Sequence, residues 1–438
     1  MSILSEKECR AILEKVLSFS KADEAECNLN GGTSGNIRYA RNTVSTSGIV
    51  NNTSLVVQSS FGQKTGTATI NELDDASLQK VVRRSEELAQ LAPENPEYVE
   101  FLGPQEYGES KTFSKSTAGV TPEYRTKAAA NSINPCKEKD LTAAGFLNDN
   151  AGFSAMANTK GLYAYNTATG VNFTVTIRTP DGTGSGWATR DFNDVDKLDT
   201  AEASKIAIDK ALMSREAKAI EPGKYTVILE PAASVGLLQN MFFSFNARTA
   251  DEGRSFLSNK GGGTKLGEKI VDEHVNVYTD PQNEEVPSSP WIGDGRPVKK
   301  THIIKDGVVS NLFYSRYWAK KNGVEAIPFP TNGIMEGGDA SIEDLIKDTR
   351  RGVLVTRTWY IRSVDPQTLL LTGLTRDGTF FIENGKLKHP VKNFRFNESP
   401  VIMLNNLEAL GKPQRINGNL IPPMKIRDFT FSSLSDAV

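Results

Sequence analysis

Residues 224–240 read KYTVILEPAASVGLLQN, and in this stretch a strand pattern runs directly into a helix pattern. Tyr225–Leu229 is rich in β-branched and aliphatic residues, which is typical of a buried strand. Pro231 suits the first turn of the helix that follows, because its missing N–H would be unpaired there anyway. Residues 248–270, RTADEGRSFLSNKGGGTKLGEKI, then form a charged, glycine-rich segment. The stretch therefore predicts a strand, a helix and a loop in direct succession.

This strand–helix unit resembles the TldD/PmbA family of cytoplasmic bacterial metalloproteases. In that family a zinc-bearing TldD subunit carries His-Glu-x-x-x-His at this unit, and its partner, the PmbA or TldE subunit, lacks the motif. Placing the TldD-type pattern V-L-L-H-E-A-I-G-H-G-L over residues 227–237 puts Glu230 at the first histidine, Pro231 at the catalytic glutamate and Val235 at the second histidine. Two such histidines bind a metal ion and the glutamate deprotonates its water. Pro231, Ser234 and Val235 do neither.

The resemblance thus implies a degenerate site. Its positions are Glu230, Pro231, Ser234 and Val235, and it implies no catalytic residue and no metal ligand in this chain. In TldD-type subunits a cysteine near the C-terminus completes the zinc site. The corresponding neighbourhood here, residues 405–418, contains no cysteine.

Composition sets broad limits. A chain of 438 residues exceeds what one core usually serves, so two or three domains are expected. The net charge of −2 gives no sign of nucleic-acid binding. Cys9, Cys27 and Cys136 are too few and too scattered for a disulfide framework or a zinc cluster. The N-terminus lacks a signal-peptide pattern and no stretch is apolar enough for a membrane helix, so a soluble, cytoplasmic protein is expected.

The pattern of elements predicts an α+β protein in three blocks. An N-terminal α+β domain (residues 1–91) contains an antiparallel sheet with flanking helices, and a linker (92–120) follows it. A middle α+β domain (121–221) and a β-rich C-terminal domain (222–438) complete the chain.

Local signals place individual elements within these blocks. Capping boxes at Ser5 and Ser341 predict helix starts, and Ala201–Ala217 has a helical apolar face that includes Leu212. Asp306-Gly307, Asp377-Gly378 and Asn384-Gly385 predict hairpins. The run SPVIMLNNL (residues 399–407) is interpreted as a strand.

Histidine offers little support for a metal site of another kind. His274, His302 and His389 are the only histidines, and none has a second histidine four residues away. Asp272 and Glu273 beside His274 also fit a solvated, charged loop.

The glycine-rich segment has two interpretations. Arg248, Arg254, Lys260 and the triplet Gly261, Gly262 and Gly263 fit a mobile loop that lines a cleft or a subunit boundary. They fit a solvated loop without a partner equally well.

By resemblance, the chain is a PmbA/TldE-like, non-catalytic subunit of a zinc metalloprotease complex. The family forms a heterodimer around a proteolytic chamber and cleaves unfolded peptides. The resemblance implies that zinc belongs to a TldD-like catalytic partner, with no cofactor in this chain, and it allows a homodimer when the chain is alone. Two alternatives stay open: an interaction protein that modulates DNA gyrase, after an old family label, and a peptidase with an unrecognised site.

Overall fold

The computed structural model describes residues 3–435 and has the mixed α+β architecture that the sequence predicts. The α-helices of these residues are α1 (Glu6–Ser18), α2 (Asp75–Leu91), α3 (Lys115–Ala118), α4 (Pro122–Glu138), α5 (Thr200–Met213), α6 (Pro231–Phe243), α7 (Ala247–Asp251), α8 (Arg316–Asn322), α9 (Ile342–Lys347) and α10 (Pro400–Asn405). Within this part of the chain, no helix is long and apolar enough to cross a membrane.

The first sheet is antiparallel and has six strands in the order β3-β2-β1-β4-β5-β6. They are β1 (Glu24–Ala40), β2 (Thr43–Phe61), β3 (Lys64–Ile70), β4 (Thr142–Asn158), β5 (Tyr163–Arg178) and β6 (Ser185–Phe192). Strands β1 and β4 pair without a register shift from Glu26 and Asn158 to Tyr39 and Gly145. One sheet therefore runs through the predicted N-terminal and middle segments.

One face of this sheet carries all four long helices of the first half of the chain. Cys27 and Leu29 of β1 pack in the core under α1 and α2, whereas Ile37 and Tyr39 pack under α4 and α5. All four are odd-numbered, and alternate residues of a strand share a face. The two helix pairs thus cover the two ends of the same face.

The C-terminal region is strand-rich, as predicted, and contains two further sheets. Their strands are β7 (Gly223–Leu229), β8 (Val277–Thr279), β9 (Thr301–Lys305), β10 (Val308–Val309), β11 (Ile334–Met335), β12 (Arg351–Val355), β13 (Thr358–Asp365), β14 (Leu370–Thr375), β15 (Thr379–Glu383), β16 (Lys386–Pro390), β17 (Phe394–Glu398), β18 (Leu407–Leu410), β19 (Gln414–Ile416), β20 (Asn419–Ile421) and β21 (Met424–Leu434). Strand β7 lies between β21, which is antiparallel to it, and β12, which is parallel. It is therefore a central strand, and α6 leaves from its end.

The segment predicted as a linker fastens onto the C-terminal region. The Ser110 hydroxyl lies 2.6 Å from the carbonyl oxygen of Pro281 and 2.7 Å from that of Ser288. The Tyr107 hydroxyl donates to the carbonyl of Gly295 at 2.7 Å. The predicted domain boundaries at residues 91, 120 and 221 stay predictions. The β1–β4 pairing joins the segments on either side of residues 91–120, and these hydrogen bonds attach the linker itself to the C-terminal region.

Three local expectations are wrong. Residues 399–407 contain helix α10 instead of a strand, because Pro400 starts a helical turn that buries Met403 and Leu404. Asp377-Gly378 closes no hairpin, since β14 pairs with β13 and β17 while β15 pairs with β12 and β16. Leu212 is 41% exposed, and α5 ends at Met213. The hairpins at Asp306-Gly307 and Asn384-Gly385 are confirmed.

Candidate functional site

The predicted strand–helix unit is confirmed as β7 followed by α6. Glu230 is the N-cap residue of α6, with extended backbone angles, and Pro231 holds the first helical position. The Glu230 side chain makes no capping hydrogen bond. Its carboxylate lies instead 2.7 Å from the ammonium nitrogen of Lys210 on α5. The end of the central strand is therefore joined to a helix of the preceding segment.

This pair lies in a cleft of about 550 Å³ between the first sheet and the C-terminal region. Strand β6, helix α5, the start of α6, the segment around the N-terminus of α9, and β19 contribute the walls. The lining includes Trp187, Thr189, Arg190, Glu202, Ile206, Lys210, Met213, Glu230, Pro231, Ala232, Asp339, Glu343, Lys412, Gln414 and Arg415. The cleft thus brings together the start of α6 and the 405–418 neighbourhood, which the family resemblance had linked.

Charges of both signs line the cleft in equal number. Its basic side chains are Arg190, Lys210, Lys412 and Arg415, and its acidic side chains are Glu202, Glu230, Asp339 and Glu343. Arg190 lies 3.1 Å from Glu202, and Arg415 lies 3.0 Å from Asp191 at the end of β6. A balanced lining suits a ligand that is itself both donor and acceptor, as a peptide chain is.

Trp187 lines the cleft and makes a cation–π contact with Arg357. The Arg357 guanidinium lies 4.1 Å from the centre of a Trp187 ring and 2.6 Å from a carboxylate oxygen of Asp377. Burial lowers the pKa of Arg357, and the charge of Asp377 opposes that shift. Asp377 also accepts a hydrogen bond from the Ser185 hydroxyl at 2.6 Å. These contacts join β6 to the C-terminal region beside the cleft.

The face of the first sheet opposite the four long helices meets the cleft at Arg415. Asn36, Asn148, Asn172 and Asp191 are cross-strand neighbours on β1, β4, β5 and β6. The three asparagines are half-buried, and the row ends at the carboxylate that binds Arg415. A line of side-chain amides therefore crosses the sheet and ends beside the charged cleft.

The four degenerate positions divide into two pairs. Glu230 and Pro231 line the cleft, whereas Ser234 is fully buried and Val235 is 5% exposed in the core. The Ser234 hydroxyl has only a 3.4 Å contact to the carbonyl of Pro231. Proline and valine side chains hold no metal-binding atom, and the Glu230 carboxylate is engaged by Lys210. This set of side chains does not fit a zinc ion.

The histidines each have a different neighbour. The His274 Nδ1 atom lies 2.7 Å from a carboxylate oxygen of Asp272. The ring centres of His302 and Tyr278 are 5.5 Å apart, and His389 stacks on Phe381 with ring centres 5.4 Å apart. Within residues 3–435, no group of three or more His, Cys, Asp or Glu side chains is arranged to hold a metal ion.

The glycine-rich segment does not contribute to the cleft lining. Arg248, on α7, bonds to Glu97 at 2.8 Å and to Glu252 at 2.9 Å, and Arg254 also binds Glu252. The triplet Gly261, Gly262 and Gly263 has φ values of +102°, +107° and +80° and follows exposed Lys260 at an open turn. Its role as an interface loop stays a prediction.

Sequence reasoning missed Lys210, Trp187 and Asp191. Their shared signal is weak, since each is one polar or aromatic residue in an ordinary helix or strand. Lys210 follows Ile206 by four residues, which places both on one side of α5. Only the position of α5 relative to α6 shows that this side faces the cleft.

Family models match the chain in three consecutive blocks. They are described as PmbA/TldA metallopeptidase domain 1 (residues 25–89), central domain (123–215) and C-terminal domain (222–433). A protein of Methanothermobacter thermautotrophicus named "Metalloprotease" is 25% identical over 286 residues, which cover 60% of this chain and 61% of that protein. That match therefore spans less than two thirds of the relative's length.

Two solved structures share the fold over nearly the whole chain. TldE from Thermococcus kodakarensis superposes with a TM-score of 0.88 at 18% identity, covering 97% of this chain and 99% of that one. A putative modulator of a DNA gyrase from Thermotoga maritima superposes with a TM-score of 0.87 at 18% identity, covering 97% and 100%.

Proposed function

This chain belongs to the PmbA/TldD metallopeptidase family, and we propose that it is a TldE-like, non-catalytic subunit. In this proposal it works in a zinc metalloprotease complex that degrades or processes unfolded peptides. A TldD-like partner carries the zinc ion and the catalytic glutamate, and the complex acts in the cytoplasm.

The replaced metal positions carry this proposal. In the alignment that the resemblance implies, the two zinc-binding histidines and the catalytic glutamate are replaced by Glu230, Val235 and Pro231. In the structure Glu230 is held in an ion pair, Pro231 starts α6, and Val235 lies in the core. The surrounding strand, helix and cleft are nevertheless intact. A subunit that has lost its chemistry but kept its fold is suited to assembly and to substrate handling.

The cleft and the amide row support a role in substrate handling. Side-chain amides donate and accept hydrogen bonds, as peptide groups do. The row of Asn36, Asn148 and Asn172 therefore offers contacts to a peptide backbone that do not depend on its side chains. We assign to this face and the adjoining cleft one wall of the chamber that holds the substrate.

The first test uses the chain without a histidine tag, alone and mixed with a TldD-like subunit. Elemental analysis should find the chain alone nearly free of zinc, and it should not hydrolyse unfolded casein. The mixture should hydrolyse casein, and a chelator should abolish the activity. The control is a partner in which the glutamate of its His-Glu-x-x-x-His motif is replaced by glutamine.

Two results would reject the proposal. One is about one zinc ion retained per chain after dialysis, which would mean that ligands outside the replaced positions converge. The other is chelator-resistant casein hydrolysis by the chain alone, which would make it a peptidase in its own right.

A further inference from the structure

Strand β13 exposes two consecutive aromatic side chains at the edge of its sheet. Among the strands that the structure describes, β13 pairs with β14 alone. Trp359 is 40% and Tyr360 is 52% exposed, and their ring centres are 5.4 Å apart. In a regular strand, consecutive side chains point to opposite faces. Since both rings are exposed side by side, β13 departs from regular geometry at this point.

A β-bulge with a strained backbone produces this departure. Tyr360 and Ile361 lie opposite one residue of β14, Gly373. Tyr360 has a φ of +56°, which is costly for a bulky side chain, and it is the one aromatic residue within residues 3–435 with a positive φ. Ile361 turns inward against Gly236 of α6. The bulge therefore keeps the apolar Ile361 inside and both rings outside, and strain that persists in a folded chain points to a function at that place.

These two rings belong to a continuous strip that starts in the cleft. The strip consists of three aromatic rings and three guanidinium groups, each in contact with a neighbour, and we call it the aromatic–arginine strip: Trp187, Arg357, Arg376, Trp359, Tyr360 and Arg362. The Arg376 guanidinium lies 4.4 Å from the centre of a Trp359 ring. The Arg362 guanidinium lies 4.3 Å from the centre of the Tyr360 ring. Because Trp187 lines the cleft, the strip runs from the cleft to the edge strand.

The strip offers positive charge that a ligand can reach. Arg357 and Arg376 share the carboxylate of Asp377, at 2.6 Å and 3.9 Å, and the Asp377 side chain is only 1% exposed. Arg362 is exposed and donates a hydrogen bond to the carbonyl of Ile361 at 2.9 Å. In the part of the chain that the structure describes, no carboxylate lies within ion-pair distance of Arg362. Accessible positive charge and apolar ring surface therefore occur together.

We propose that the aromatic–arginine strip binds acidic and aromatic side chains of the peptide substrate, so that the complex prefers peptides that contain both. This inference rests on the proposed function, since the strip continues the same cleft. Guanidinium groups bind carboxylates through paired N–H donors, and exposed rings pack against other aromatic rings. Trp187 and Asp191 are four residues apart on β6 and share a face of the first sheet. An extended peptide can thus contact the amide row with its backbone and the strip with its side chains.

Peptide binding to the chain alone tests this proposal without the partner. The probe is a short glycine- and serine-rich peptide that carries glutamate and phenylalanine at intervals and a fluorophore at one end. In one matched peptide lysine replaces each glutamate, and in another alanine replaces each phenylalanine. Fluorescence anisotropy should show that the glutamate–phenylalanine peptide binds about tenfold more tightly than either matched peptide. Its binding should weaken as the salt concentration rises.

Two substitutions at Tyr360 separate loss of binding from loss of folding. Tyr360→Gly removes the ring and relieves the left-handed backbone, which glycine adopts without strain. Its Kd for the glutamate–phenylalanine peptide should rise about fivefold, while its thermal unfolding midpoint should be no lower than that of the wild type. Tyr360→Ala removes the ring but keeps the strain. It should lose the same affinity and unfold at a lower temperature than Tyr360→Gly.

Arg362→Gln tests the charge of the strip. It should weaken binding of the glutamate–phenylalanine peptide about fivefold. In the assembled complex it should raise KM for this peptide by the same factor and keep kcat, because the reacting groups are proposed to belong to the partner. The matched control is Arg351→Gln. Arg351 is also exposed and lies 5.9 Å from the centre of the Phe381 ring, but it is outside the strip, so Kd and KM should not change.

Several results would overturn this inference. They are no measurable binding of the glutamate–phenylalanine peptide, equal binding of its lysine counterpart, and unchanged binding in both Tyr360→Gly and Arg362→Gln. Tighter binding of a single-stranded DNA oligonucleotide than of the peptide would instead assign the strip to nucleic acid, since bases also stack on aromatic rings. None of these results changes the zinc content of the chain or casein hydrolysis by the complex. The inference can therefore fail while the proposed function holds.

Discussion

The ammonium nitrogen of Lys210 lies 2.7 Å from a carboxylate oxygen of Glu230, so that helix α5 is tied to the N-terminus of α6. The two side chains are 18% and 16% exposed. By the family resemblance, Glu230 aligns with the first zinc-binding histidine of a TldD-type subunit. A cation therefore lies beside this position, but it is an ammonium group supplied by the protein itself. The pair holds two parts of the chain together without a metal.

Removing either charge should destabilise the fold. Glu230→Gln or Lys210→Met leaves one charged group without its partner, and we expect a loss of about 1–2 kcal/mol in the free energy of unfolding. The double variant should lose less than the sum of the single variants, since it leaves no unpaired charge. Urea denaturation of the three variants tests this expectation. Strictly additive losses would mean that the two groups do not interact.

Turnover of the complex should depend little on the degenerate positions. Ser234 is buried with only a long hydrogen bond, and the reacting groups are proposed to belong to the partner. Ser234→Ala and Glu230→Ala should each leave peptide hydrolysis by the assembled complex within a few-fold of the wild type. Size-exclusion chromatography provides the control for assembly. Loss of hydrolysis in a variant that still assembles would show that the site is not vestigial.

The amide row should contribute to substrate binding. Asn148 lies in the middle of the row, between Asn36 and Asn172. Asn148→Ala removes one hydrogen-bonding group worth about 1 kcal/mol, so KM of the complex should rise about fivefold while kcat is kept. Gln63→Ala, in the exposed β2–β3 turn, removes an amide elsewhere on the same sheet and should leave KM unchanged. Equal effects of the two substitutions would argue against a substrate-binding row.

Local signals in the sequence were sufficient for elements whose determinants lie close together. The strand–helix unit at Glu230 and the capping boxes at Ser5 and Ser341 depend on residues within one or two turns, and all appear as predicted. Asn384-Gly385 closes a hairpin because its flanking strands are adjacent in the sheet. Asp377-Gly378 is an equally typical hairpin dipeptide, but its flanking strands β14 and β15 pair with other strands.

The cleft could not be predicted in the same way. It forms where α5, β6 and β19 approach the start of α6. These elements are far apart in the sequence, so no local pattern predicts that they are neighbours. The region 405–418 was linked to α6 only through the family resemblance. Lys210 and Asp191 acquire their roles from partners 20 and 224 residues away in the chain, Glu230 and Arg415. The prediction for residues 399–407 fails for another reason, because a short apolar run fits a helix or a strand equally well.

Breaking a buried ion pair beneath α4 should destabilise the first sheet. Arg125 on α4 binds Asp149 on β4 through two hydrogen bonds of 2.6 Å and 2.9 Å, and the side chains are 3% and 8% exposed. Asp149→Asn should cost about 3–5 kcal/mol, because it leaves a buried guanidinium without its counter-charge. Gly35→Ala should act in the same direction, since the added Cβ atom would lie 1.8 Å from the guanidinium nitrogen of Arg125. Denaturant unfolding measures both.

The double variant R125M/D149L is the control for that ion pair. It removes both charges, so the free energy of unfolding should be higher than in Asp149→Asn alone. If Asp149→Asn were as stable as the wild type, the pair would not contribute in the way that its burial and geometry indicate.

Glu26 should make stability depend on pH near neutrality. Its side chain is buried in β1, and this burial, with a smaller effect of the Asp294 charge, raises its pKa to about 7. Between the ordinary value of 4.5 and about 7 the folded chain therefore binds this proton more tightly than the unfolded chain does. Stability from this group is present at pH 5 and is lost as the pH rises through 7. Thermal unfolding from pH 5 to pH 8 should show a falling midpoint.

The Glu26→Gln variant should reduce this slope, because a neutral side chain has no proton to lose. Glu398, whose pKa is also raised by burial, contributes a slope of the same sign, so some slope should remain. Glu24→Gln is the matched control on the same strand. Burial alone would raise the pKa of Glu24, but bonds from Lys160 and Tyr98 outweigh it and lower the pKa, so Glu24 is ionised throughout this range in both states. Glu24→Gln should therefore shift the whole curve and keep its slope, whereas an unchanged slope in Glu26→Gln would contradict the assignment.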